Sequence, residues 1–197
     1  MKNILKSQEE TGNRRVCAHS LHQLFQHFFF SLLLFFTLSL HAQTYFQQDV
    51  KYIIHVSLND MKNELTATES IAYTNNSPDV LPFLYFHIWP NAYRDNNSAM
   101  AKQMLENGST TFYFSDDAYK GYIDDLNFKV NDTLIQWKPD SVNEDICKLM
   151  LNKPLKPGQT ITITTPFHVK IPDSHFSRMG HDGQSYQISQ WFPKPAV

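Results

Sequence analysis

After residue 49 the apolar and polar positions alternate with a period of two over most of the chain, the repeat of strands with one buried face. Residues 50–58 (VKYIIHVSL) alternate imperfectly but are rich in β-branched and aromatic side chains. Asn59-Asp60 supplies a turn. Residues 64–74 (ELTATESIAYT) follow, with Leu65, Ala67 and Ile71 on the expected inner face, so the two runs predict a hairpin. Residues 80–89 (VLPFLYFHIW) form the most apolar run after the leader and predict a central strand covered on both faces. Further strands are expected at 122–130, 134–137, 146–151 and 160–171. Asn131-Asp132 reads as a tight hairpin turn, and Lys156-Pro157-Gly158 as a turn before the cleanest alternation. There Ile161, Ile163 and Thr165 face away from Thr160, Thr162 and Thr164.

The period changes once. Ser98 is placed to cap a helix of residues 99–107, with Met100, Met104 and Leu105 on one face and Gly108 as the stop. Short strands separated by turn residues, with this one short helix, predict an all-β fold. It is either a β-sandwich or a curved, saddle-like mixed sheet, occupying residues 43–197 as one domain.

The closing stretch, residues 183–197 (GQSYQISQWFPKPAV), is the one around which the rest of the chain is arranged. Tyr186, Ile188 and Gln190 alternate with Gln187, Ser189 and Trp191, and predict a half-buried strand. Pro193 and Pro195 are expected to end its pairing, because proline has no N–H to offer a ladder. Ala196 and Val197 follow without a cap or polar tail. We expect the chain to be one domain of a larger protein.

Residues 1–42 have the layout of a signal peptide. Lys2, Lys6, Arg14 and Arg15 precede a 13-residue apolar run over residues 28–40, short of the ~20 residues that span a bilayer, and Ala42 offers a small residue for cleavage. The expected location is outside the cytoplasm: periplasmic, secreted or at the cell surface. No stable membrane span is expected after cleavage; the long charged region ahead of the apolar run leaves an uncleaved membrane anchor as the alternative.

Cys17 lies in this leader, so Cys147 has no intramolecular partner after processing, and packing must hold the domain together. Between Ile146 and Leu149, Cys147 reads as a small buried hydrophobe. The whole chain carries 17 Lys and Arg against 19 Asp and Glu. Setting aside the leader, which is richer in basic than in acidic residues, leaves a mildly acidic domain, unsuited to displacing counterions from nucleic acid.

Motifs for chemistry are scarce. The sequence has no His-Glu-x-x-His, Cys-x-x-Cys, phosphate-binding glycine loop or Gly-x-Ser-x-Gly. His168, His175 and His181 are spaced to meet at zinc, but they cross a turn-rich polar segment without evident supporting carboxylates, and a solvated loop is the preferred reading. Asp116-Asp117 and Asp124-Asp125 resemble acid–base pairs, yet neighbours on a strand face opposite ways. The Asn-x-Ser/Thr matches at Asn75, Asn96, Asn107 and Asn131 are explained by surface turns. Gln190 is the polar residue to single out. On residue type alone it is a strand amide bonded to a neighbour.

The order of segments resembles the N-terminal β-domain of the aminopeptidase N family of gluzincin zinc metallopeptidases. The resemblance is carried by VKYIIHVSLN, ELTATESIAYTNNS, LPFLYFHIWPNAYR and above all YQISQWFPKPAV, and covers roughly residues 45–197. It implies a domain that closes one end of the active-site cleft of a peptide-cleaving enzyme. Zinc in such an enzyme is held by His-Glu-x-x-His and a later Glu of a catalytic domain, and a Gly-x-Met-Glu-Asn segment there anchors the substrate amine. None of these motifs occurs here, so the resemblance implies no zinc ligand and no catalytic residue in this chain.

What carries over is Gln190, where the family has a glutamine facing the cleft, as a substrate-binding residue. Two positions further on the family has Gln or Glu, which helps to hold the amine; here Phe192 stands there. The implied partners are peptide substrates and the chain's own catalytic domain. The alternative from a different class is a self-contained secreted β-sandwich that binds a ligand or protein on an aromatic platform of Tyr85, Trp89 and Tyr93.

Overall fold

The computed structural model describes residues 45–196 and Phe29. The chain divides into Met1–Tyr45 and Phe46–Val197, and the β-structure of the described residues lies in the second unit. The signal segment expected over residues 1–42, including Cys17 and Ala42, lies outside the described residues apart from Phe29.

Alternation is strictest where the sheet is deepest. β1 (Asp49–Asn59), β2 (Glu64–Thr74) and β9 (Thr160–Lys170) pair antiparallel over their full lengths. On β2 every second residue from Leu65 to Tyr73 is buried, and on β9 Ile163, Thr165, Phe167 and Val169 match them. β9 also pairs with β4 (Tyr122–Asp124) and β5 (Lys129–Val130), and β5 with β6 (Thr133–Leu134). A second sheet runs β12 (Lys194–Pro195), β3 (Leu81–His87), β8 (Ile146–Leu155), β7 (Gln136–Pro139). β10 (Gly180–Asp182) and β11 (Ser185–Gln187) form a separate hairpin.

All strand pairs are antiparallel. Parallel pairing among the described residues is limited to the single bridge Asp173–His181, so the mixed-sheet variant of the expected fold gives way to an antiparallel one. One core takes residues from both larger sheets: Leu65, Ile71, Tyr73 and Phe167 from one, Leu84, Phe86, Cys147 and Leu149 from the other. Phe128 links the layers, with its ring 5.3 Å from Phe86 and 5.8 Å from Trp137. Cys147 is fully buried, and burial pushes its thiol up to about 12, as suits an inert core residue.

The chain changes sheets at defined corners. Asn75 ends β2, and its backbone N–H donates to Gln159 O at 3.0 Å while its carbonyl accepts from Gly158 N at 2.7 Å. Its side-chain amide donates to Asp79 O and Leu155 O, and its Oδ1 accepts from Ser77. One buried asparagine thus ties the β2–β3 crossing to the β8–β9 crossing. This corrects the expectation for Asn75: it is an internal corner post, closed to a glycan in the folded state. Gly158, at φ +75°, supplies the left-handed residue the second crossing needs. Asn131 and Asp132, at φ +48° and +64°, form the expected tight hairpin turn, because this pair of left-handed residues matches the twist of the flanking strands. Buried Ile135 then hands the chain from β6 to β7 in the other sheet.

Several expectations change. The strand expected over 122–130 is broken: Asp125 at φ +58° turns the backbone, and buried Phe128 drops into the core between β4 and β5. β3 lies inside its sheet but is covered on one face only. Leu84 and Phe86 point inward, while Tyr85 is 41% exposed.

The helix α1 (Ala99–Glu106) forms as its ends dictate. Ser98 Oγ accepts from Ala101 N at 3.1 Å, and Gly108 at φ +81° lets Ser109 N reach Met104 O at 2.8 Å. Ala101 is its buried residue, Met100 and Met104 are half-buried, and Leu105 faces outward, contrary to the expected face.

Candidate functional site

The closing segment, where the sequence places Gln190, is not a continuous strand. β11 ends at Gln187, and residues 188–193 run unpaired until Lys194-Pro195 adds to β3 as β12. Pro195 therefore sits in a pair rather than ending one. It is tolerated because β12 is an edge strand, and Ala196 N supplies the next bond, to Tyr85 O at 2.8 Å.

Within this unpaired run the chain turns at one residue. Gln190 has φ +58°, a left-handed conformation that costs a non-glycine residue about 1 kcal/mol or more. The turn it makes carries Trp191 onto Phe167 (rings 5.8 Å apart) and Phe192 onto Tyr52 (5.5 Å). These two aromatic anchors hold the strained residue in place. Phe192, the apolar departure noted in the sequence, is thus a packing residue.

Gln190 lines a pocket of about 530 Å³ with Trp89, Tyr93, Asp145, Ser177 and Arg178. Trp89 and Tyr93 come from the 3-10 helix Trp89–Tyr93, in whose first turn Pro90 fixes φ. Tyr93 is 8% exposed, and its hydroxyl lies 2.5 Å from Ser177 Oγ. The ammonium of Lys194 donates to Gln190 Oε1 and lies 5.2 Å from the Trp89 ring centroid and 5.5 Å from that of Phe192. Sequence reasoning missed Lys194. Its signal is modest: a lone cation between two prolines, four residues after Gln190.

The three rings of the alternative aromatic platform do not form one open surface. Tyr93 is buried, Trp89 is faced by Lys194, and Tyr85 is exposed with its ring against Phe83 at 5.4 Å.

The histidines have separate partners. His168 Nδ1 lies 2.7 Å from Asp124 Oδ1, and its Nε2 is 3.6 Å from Glu64 Oε2, so it does have the carboxylates that the sequence did not reveal. His175 bonds Asp173, and that bond, followed by the aspartate's charge, raises its pKa. His181 lies on β10 against the Tyr186 ring. Among the described residues no three His, Cys, Asp or Glu side chains group to hold a metal.

Asp117 pairs with the buried Lys120 at 3.0 Å, and Asp124 with His168, so neither aspartate pair acts as a unit. Glu69 was missed altogether. It points into the core from mid-β2, opposite Ile54 and Thr165, is 3% exposed, and has no hydrogen-bond partner on either oxygen among the described residues. Burial pushes its carboxyl up to about 8.

No protein-family model matches the chain, and neither does any curated protein sequence. Among solved structures, the chain is similar to the M1 zinc metallopeptidase of Deinococcus radiodurans, with 12% identity over 64% of this chain and a TM-score of 0.39. Mutant forms of a two-domain M1 zinc metallopeptidase bound to L-arginine and to L-tryptophan give 11% and 12% identity at the same TM-score. The chain spans about a fifth of the length of these proteins, matching 21% of each.

Proposed function

We propose that the chain is the N-terminal domain of an exported, zinc-dependent aminopeptidase, and that it shapes one wall of the active-site cleft. In this division of labour the zinc, its ligands and the general base belong to a separate catalytic domain. The present domain contributes shape and the Gln190 amide.

The observation that carries the reading is the closing segment. Gln190, the residue that the sequence resemblance selects, stands in a strained left-handed conformation on a pocket wall, held by two aromatic anchors. Strain of that kind persists where the surroundings over-determine it, and it concentrates at functional positions.

The division of labour is tested by assay. The purified chain is expected to show no hydrolysis of aminoacyl chromogenic substrates, with or without added zinc. Chelator-sensitive turnover by this chain alone would overturn it.

A further inference from the structure

Lys194 is held in a way that leaves it free to bind something. Its ammonium has three N–H donors, and the protein acceptor it meets is one neutral carbonyl, Gln190 Oε1. The faces of Trp89 and Phe192 hold the charge in place without neutralising it. No carboxylate among the described residues lies within ion-pair distance of it. Gln190 and Trp89, the residues Lys194 meets, line a pocket together with Arg178, which is exposed and likewise has no ion-pair partner among the described residues.

The bond to Lys194 also decides what Gln190 offers. Its carbonyl, the half of the amide that an incoming ammonium would need, already accepts from Lys194, which leaves its NH₂ as the outward group. A free amine would meet a second ammonium here; a carboxylate would meet the remaining N–H donors of Lys194, the Gln190 NH₂ and the Arg178 guanidinium. Asp145 is the acidic residue lining this pocket, and its carboxylate has no ion-pair partner among the described residues.

We propose that this rim binds the side-chain carboxylate of a peptide that begins with Glu or Asp. Lys194 and Gln190 grip the carboxylate, and Arg178 reinforces them from the pocket wall. The proposal rests on the peptidase-domain reading for the view that a peptide reaches this pocket, and goes beyond it in naming the first residue.

The test is direct binding to the full chain, followed by calorimetry and by the indole N–H signals of the tryptophans. The probes are the dipeptides Glu-Ala, Gln-Ala and Lys-Ala. Glu-Ala is expected to bind at least about tenfold more tightly than its neutral isostere Gln-Ala, a difference of about 1.4 kcal/mol. Its binding should weaken as salt is raised, because screening acts on the charged pair. Lys194→Met should bring Glu-Ala down to the level of Gln-Ala with the far-UV circular dichroism unchanged. Arg178→Ala, which truncates an exposed side chain, should weaken Glu-Ala in the same direction.

Equal binding of Glu-Ala and Gln-Ala, preference for Lys-Ala, no binding of any of the three, or unchanged Glu-Ala affinity in Arg178→Ala would each overturn the proposal. If Lys194→Met fails to fold, the dipeptide ranking and Arg178→Ala decide alone. None of these outcomes bears on the peptidase-domain reading, which is tested by hydrolysis and by the coding sequence.

Discussion

Glu69 shows how far one residue can depart from the pattern around it. It occupies an inward position of β2 that alternation assigns to an apolar side chain, between the buried Ala67 and Ile71. Thr165 across the ladder gives no help, since its hydroxyl accepts from Asn127 N and donates to Pro166 O. The uncompensated burial pushes the Glu69 carboxyl from 4.5 to about 8. The folded protein therefore keeps a proton that the unfolded chain releases. Stability falls as pH rises from about 4.5 to about 8, then stays at the lower value. Glu69→Gln removes the charged form and should be more stable than the parent at pH 9 by about 1–3 kcal/mol, with little difference at pH 4. Urea melts at the two pH values check this, and a difference independent of pH would contradict it. Tyr52 responds to the same burial: desolvation, then the nearby Glu69 charge, pushes its hydroxyl up to about 12.

Among the elements, the closing segment is where local pattern and tertiary structure part. Its alternation predicts a strand, as that of β9 does, but β9 has β2 alongside for its whole length, whereas residues 188–193 have no neighbouring strand. Alternation reports which faces are apolar and says nothing of whether a ladder partner is available. The left-handed turn at Gln190 is invisible in the sequence for a related reason: a glutamine carries no turn signal of the kind that Asn131-Asp132 or Gly158 provides. Where the controlling forces are local, the elements were legible. Ser98 and Gly108 set the ends of α1, and Leu65, Ala67 and Ile71 set the face of β2. The Lys194–Gln190 contact was not legible, because it depends on β12 docking beside β3.

Two substitutions at Gln190 separate backbone strain from side-chain loss. Gln190→Gly relieves the left-handed strain while losing one hydrogen bond, so its stability should stay within about 1 kcal/mol of the parent. Gln190→Val places a β-branched residue at φ +58° and should cost about 2 kcal/mol or more. Equal effects of the two in urea melts would show that the backbone there is not strained.

At the scale of the molecule, two antiparallel sheets share one core, and Asn75 fixes two of the crossings between them. The all-β class was readable because strand lengths and turns are local properties. The corner role of Asn75 was not, since it joins residues about eighty positions apart, as its bond to Leu155 O shows. In this architecture Gln190, Arg178 and Asp145 line one pocket, with Lys194 bonded to Gln190 beside it. On the proposed function, the Gln190 side of this domain meets a zinc-bearing domain of the same protein. Sequencing the transcript past the codon for Val197 tests it most directly. The expected result is an open frame that continues into a His-Glu-x-x-His segment with a later Glu; a stop codon immediately after Val197 would contradict it.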